Sequence, residues 1–172
     1  MRGLAMLRTA VWVVIGAGVL VVAAAPLRAH AQGNLVGAYA GTTTQAYIPG
    51  SNPTLVVDLI VAGVASQFGQ FTAVGQQTVD LRTGIYTGSY TFTTPNGDTL
   101  TATTQGMRLL CVSGGVYTLE ERIEVTGGTG SFAGATGSAN GLGAFGSLGN
   151  QAALVFKGAL DGVEPFTPGR RR

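Results

Sequence analysis

From Leu35 to Leu160 the chain is a succession of short runs rich in Thr, Val, Ile, Tyr and Phe, each stopped by Gly, Asn or Pro, and no helical stripe interrupts them. Runs of this kind between turn residues predict strands. Eight are expected: Leu35–Ile48, Thr54–Ala65, Gly69–Val79, Ile85–Thr94, Thr99–Val112, Val116–Val125, Ser138–Leu148 and Ala152–Leu160. The sharpest stop is Pro95-Asn96-Gly97-Asp98, because Asn-Gly tolerates the positive φ that hairpin turns require. No helix is long enough for a parallel crossover, so the strands must pair antiparallel, up and down. Closing such a sheet removes its exposed edges. The predicted class is therefore all-β, an eight-stranded antiparallel up-and-down barrel. Eight strands enclose room for packed side chains or one small ligand. The 28 glycines suit tight strand coiling.

Alternation within the runs assigns faces. Tyr86, Tyr90 and Phe92 share one face of the fourth run, with Thr87, Ser89, Thr91 and Thr93 on the other. In the sixth, Tyr117, Leu119, Ile123 and Val125 lie together, opposite Glu120, Arg122 and Glu124. Glu121 falls on the apolar face. Burial would raise its pKa unless a cation or donors satisfied it, and a raised carboxylate inside a barrel suits general acid or base work. The competing and favoured reading is structural: a pair with Arg108 on the neighbouring strand, or a bulge that turns Glu121 outward. Asp58, inside LVVDLIV, has the same ambiguity because both faces of its run are apolar. The candidate catalytic residues are thus Glu121, Asp58 and Arg108. The candidate ligand-contacting residues are Tyr86, Tyr90, Phe92 and Tyr117.

The first residues read differently. Arg2 and Arg8 precede an unbroken apolar run, Ala10 to Ala25, and Ala29-His30-Ala31 supplies a small-x-small cleavage pattern. This is the layout of a secretory signal peptide. A transmembrane anchor is the alternative, but the run is shorter than the roughly 20 residues a span needs. The expected organisation is a helical signal peptide at 1–31, a barrel domain at 32–162 and a flexible basic tail at 163–172. An exported protein, periplasmic or extracellular, follows. No cysteine lies near the cut to carry a lipid, and no second apolar run of spanning length follows.

Cleavage removes Arg2, Arg8 and Arg28 from the ten bases, leaving seven against eight acids. No basic patch with interleaved aromatics remains, so nucleic-acid binding has no support. The one histidine, His30, goes with the leader, and the one cysteine, Cys111, has no internal partner. Cys111 lies in the apolar LLCVSGG and reads as a buried, inert thiol. Scattered carboxylates alone make a poor metal site. Neither a metal nor an organic cofactor is implied.

Thr126–Gly137, TGGTGSFAGATG, has glycines at 127, 130 and 134 after a strand. A dinucleotide fingerprint would need a helix and a parallel strand next, and neither follows. A compact turn that plugs Phe132 into one end of the barrel is the expected role. The longer segment VTGGTGSFAGATGSANG resembles one found late in small secreted bacterial proteins with an allene oxide cyclase-like barrel. Plant dirigent proteins carry a related Gly-Thr-Gly-x-Phe loop. Val64–Leu100 agrees, in the frame Ser66-Gln67-Phe68-Gly69-Gln70-Phe71-Thr72, with Gln67 where those relatives usually have His and Gln70 where they usually have a basic residue. The resemblance covers most of the chain after the leader. It implies the barrel, a homotrimer, and a range of roles from isomerising a fatty epoxide to steering radical coupling. No catalytic residue carries over.

Two functional expectations follow. The favoured one is an exported, non-catalytic barrel that binds a small apolar ligand or serves a structural role. The alternative is a cofactor-free isomerase, cyclase or dirigent-like protein acting on a lipid-like or phenolic substrate within the barrel.

Overall fold

The computed structural model describes residues 33–50, 52–113, 115–146 and 150–163, without the side chains of 110–113. The signal peptide assigned to 1–31, the thiol of Cys111 and the tail from 164 onward lie outside the described residues. Eight strands follow one another: β1 (Gly33–Ile48), β2 (Thr54–Ala65), β3 (Gly69–Asp80), β4 (Ile85–Thr93), β5 (Thr99–Ser113), β6 (Val116–Gly128), β7 (Thr136–Gly146) and β8 (Gln151–Asp161). Each pairs antiparallel with the next, and β1 pairs with β8, so the sheet is a closed barrel.

The strands agree closely with the runs read from the sequence. The main difference lies at the Gly-rich segment. There β6 continues through Thr126 to Gly128, and β7 begins at Thr136, so the connection is shorter than expected. The ladder needs backbone, not side chains. Gly127 and Gly128 pair with Thr101 and Leu100, helped by a register shift at Thr101/Ala102.

Turn chemistry sets the hairpins. Gly97 takes φ +90°, and Thr94 N–H donates to the Asp98 carbonyl at 3.0 Å. After β3, the Asp80 carboxylate accepts from the backbone N–H groups of Arg82 (2.8 Å) and Thr83 (3.4 Å), and Gly84 closes the turn at φ +74°. An Asp that caps its own turn in this way replaces backbone partners the ladder no longer supplies.

One end of the barrel is sealed. Phe68, from the β2–β3 turn, meets Phe132 edge-on at 5.7 Å, and Phe71 and Phe92 pack beneath at 5.3 Å from each other. All four rings are buried. Phe132 sits on a single 3₁₀ turn, Gly130–Phe132. Asp98 anchors that turn through the Ser131 N–H (3.1 Å) and the Ser131 hydroxyl. Phe132 is therefore the plug the sequence predicts. At the other end Leu55, Tyr117 and Leu119 pack against the core from the inner face yet stay partly exposed.

Between the ends, large inner residues stand opposite inner glycines. Gly75 on β3 faces Tyr90 on β4, and Gly106 on β5 faces Tyr86. A methyl group at either glycine would overlap the tyrosine ring. These rings reach the centre of the barrel because their cross-strand neighbours have no side chain. Gly75→Ala is therefore expected to cost about 1–3 kcal/mol through overpacking. The check is a lower urea midpoint with an unchanged slope.

Candidate functional site

Midway along the interior, β6 projects Glu121 inward between two glycines, Gly106 on β5 and Gly141 on β7. Its carboxylate is buried, at 4% exposure. Four neutral side chains surround it. Tyr39 (β1) and Tyr90 (β4) hydroxyls donate to Oε2, each at 3.4 Å. Gln77 (β3) donates to Oε1 at 3.4 Å, and the Thr104 hydroxyl (β5) bonds the same oxygen. The ring of contacts is itself linked. The Tyr39 and Tyr90 hydroxyls lie 2.8 Å apart, and Gln77 Nε2 donates to the Tyr90 hydroxyl at 2.9 Å.

Burial pushes the Glu121 carboxyl up to about 7, and the donors Thr104, Tyr90, Tyr39 and Gln77 act against that rise. Burial also raises the Tyr39, Tyr90 and Tyr86 phenols. The neighbouring Tyr90 adds to the rise at Tyr39, and the negative charge of Glu121 adds to it at all three. Arg108 pulls Tyr86 partly back. The node thus holds a carboxyl that exchanges its proton near neutrality among phenols that stay protonated.

Glu121 does face the interior, but the structural pair with Arg108 does not form. Arg108 is paired through its backbone with Leu119, nearer the end away from Phe132, beside a register shift between Arg108 and Leu110. Its guanidinium lies against two rings, 4.6 Å from the centre of Phe145 and 5.7 Å from that of Tyr117. Burial lowers its pKa. Among the described residues the one ion pair is Arg122–Glu124, on the outer face. Nor does a bulge turn Glu121 outward: four neutral donors replace the cation.

Asp58 is a clear correction. β2 turns Val57, Leu59 and Val61 inward, which places Asp58 on the exposed outer face, where it accepts from Gln76 Nε2 at 2.8 Å. The misleading residue is its neighbour Ile60, which is apolar yet 67% exposed. The ligand-contact candidates separate by height. Tyr90 belongs to the Glu121 node, and the Tyr86 hydroxyl donates to the Glu120 carbonyl at 3.4 Å. Tyr117 lies with Arg108 towards the end away from Phe132, and Phe92 belongs to the sealed end.

Tyr39, Gln77 and Thr104 were not singled out from the sequence. Their signal was nonetheless present. Gln77 is the one amide in the inner series Phe71, Ala73, Gln77 and Val79, and Thr104 continues the inner series Leu100 and Ala102. One further hydroxyl, Thr43 Oγ1, is buried without a hydrogen-bond partner. Among the described residues no three His, Cys, Asp or Glu side chains converge as metal ligands would.

No family model, curated protein or solved structure matches this chain. Any functional reading rests on the residues themselves.

The Glu121 node predicts a specific pH dependence. Its carboxyl has an ordinary value of 4.5 and holds its proton up to about 7 in the folded chain. Between those values the folded state binds more protons than the unfolded state. The Glu121 contribution to stability is therefore greatest below about pH 4.5, falls as pH rises towards 7 and levels off above it. At about 1.4 kcal/mol per pH unit the total is on the order of 3 kcal/mol. Urea midpoints at pH 5 and pH 8 should differ in the native sequence, and Glu121→Gln should largely abolish the difference.

Proposed function

We propose that the protein is an exported β-barrel of the allene oxide cyclase-like kind that holds a small, largely apolar molecule through its open end and does no chemistry on it. The observation that carries this reading is the asymmetry of the two ends. Phe68, Phe71, Phe92 and Phe132 fill one end and exclude water. At the other, the inward-facing Leu55, Leu119 and Tyr117 keep solvent contact. Apolar side chains that point into a barrel and still meet water are the wall an apolar ligand would cover. The consecutive antiparallel order of the strands and the Phe132 plug support the family reading. The homotrimer implied by the resemblance belongs to the same proposal. Ile60 and Val74, direct cross-strand neighbours on the outer face, are both more than half exposed and suit a subunit contact.

The full engagement of Glu121 supports a non-catalytic role. Each carboxylate oxygen already meets two donors, which leaves little reason for a substrate proton to be transferred there. One observation favours the second reading, a cofactor-free isomerase or cyclase: a carboxyl raised to about 7 is suited to give and take protons at neutral pH. On that reading Glu121→Gln would abolish turnover of a lipid-like or phenolic substrate without weakening its binding.

The first reading predicts saturable binding of an apolar fluorophore such as N-phenyl-1-naphthylamine, one molecule per chain. Leu119→Trp, which fills the rim, should weaken it roughly tenfold, the equivalent of about 1.4 kcal/mol. Native mass spectrometry of the same samples reports the subunit number. Absence of saturable binding, or identical binding by the Leu119→Trp variant, would overturn the reading.

A further inference from the structure

The least explained group in the barrel is the Arg108 guanidinium. It sits on the inner face of β5 at the end away from Phe132, with its central carbon 4.6 Å from the ring centre of Phe145 and 5.7 Å from that of Tyr117. Aromatic rings give a guanidinium no oxygen acceptor for its N–H edge. Among the described residues no oxygen accepts a hydrogen bond from that edge, and no carboxylate pairs with it. The one inner carboxylate among the described residues, Glu121, lies deeper and is already surrounded by Tyr39, Tyr90, Gln77 and Thr104. A half-buried cation beside an apolar wall loses hydration, and a matching anion restores what is lost.

We propose that the open end recognises the carboxylate of a small anionic amphiphile, with the Arg108 fork as its partner and the wall at Leu55, Leu119 and Tyr117 receiving its chain. This rests on the ligand-holding reading above and adds the chemical class of the ligand. The match is geometric as well as electrostatic, because the fork of a guanidinium accommodates both oxygens of a carboxylate in one plane. A phosphate head group fits less well. It carries about 1.5 to 2 negative charges, and Arg108 is the one base among the described residues that faces inward, since Arg122 and Lys157 are exposed and Arg82 lies in the exposed β3–β4 turn.

The test compares decanoate with 1-decanol, which share a chain and differ in charge, by displacement of N-phenyl-1-naphthylamine at pH 6. The native sequence should bind decanoate at least roughly tenfold more tightly than the alcohol, the size expected of a charge-assisted hydrogen bond. Arg108→Met should remove that preference and leave decanol affinity within about twofold, while Arg108→Lys should keep part of it. Equal affinity for acid and alcohol in the native sequence would overturn the proposal and leave the ligand-holding reading intact. A preference that survives Arg108→Met would also overturn it. Failure of both compounds and of the fluorophore would overturn the two together. The comparison within the native sequence decides the matter even where Arg108→Met fails to fold.

Discussion

The seam between β1 and β8 is the constraint on which the rest of the barrel depends. Gly33–Thr42 pairs with Gln151–Leu160, joining residues more than a hundred positions apart. Loop-closure entropy opposes so distant a pairing, and the sheet has no covered inner face until it forms. Closure then turns every inward residue towards seven other strands at once. Tyr39 on β1 can meet Tyr90 on β4 and Glu121 on β6 only because the sheet has come full circle.

Inside that circle, volume is distributed by contrast rather than by uniform packing. Rings from one strand occupy the space that glycines on the next leave open, as at Gly75 with Tyr90 and Gly106 with Tyr86. The same economy leaves Glu121 between Gly106 and Gly141, where longer side chains would crowd it. A buried carboxylate without a cation is ordinarily expensive. Here hydroxyls and an amide from four different strands converge on it, so the polar centre also records correct strand register. A slip of one residue in any of β1, β3, β4 or β5 would turn its donor to the outside.

Much of this was legible in the sequence. Strand number and turn positions follow from period-two alternation and from Asn96-Gly97, and alternation puts Glu121 on the apolar face of its run while leaving open a bulge that would turn it outward. The plug follows from a lone Phe132 among glycines. The partners of Glu121 were harder to read, because they come from strands as far as 82 residues away. Alternation gives each strand its inner face but not its height against the others. Height depends on stagger, which the register of every ladder fixes together. That is why Arg108, on the adjacent strand and the same face, looked like the natural partner and lies instead beside Phe145. Asp58 failed for another reason: β2 is apolar on both faces, so pattern alone could not say which one is wet.

The parity of the strand count has a consequence of its own. With eight antiparallel strands, the entry to β1 and the exit from β8 lie at the same end, as the pairing of Gly33 with Leu160 requires. The β2–β3, β4–β5 and β6–β7 connections, which bring in Phe68, Asp98 and Phe132, are at that end too. β1 therefore starts, and β8 finishes, at the end that Phe132 plugs, opposite the end where Arg108 lies. Strand order thus gives the plugged end both members of the β1–β8 seam's termini and leaves the Arg108 end to four hairpin connections, β1–β2, β3–β4, β5–β6 and β7–β8.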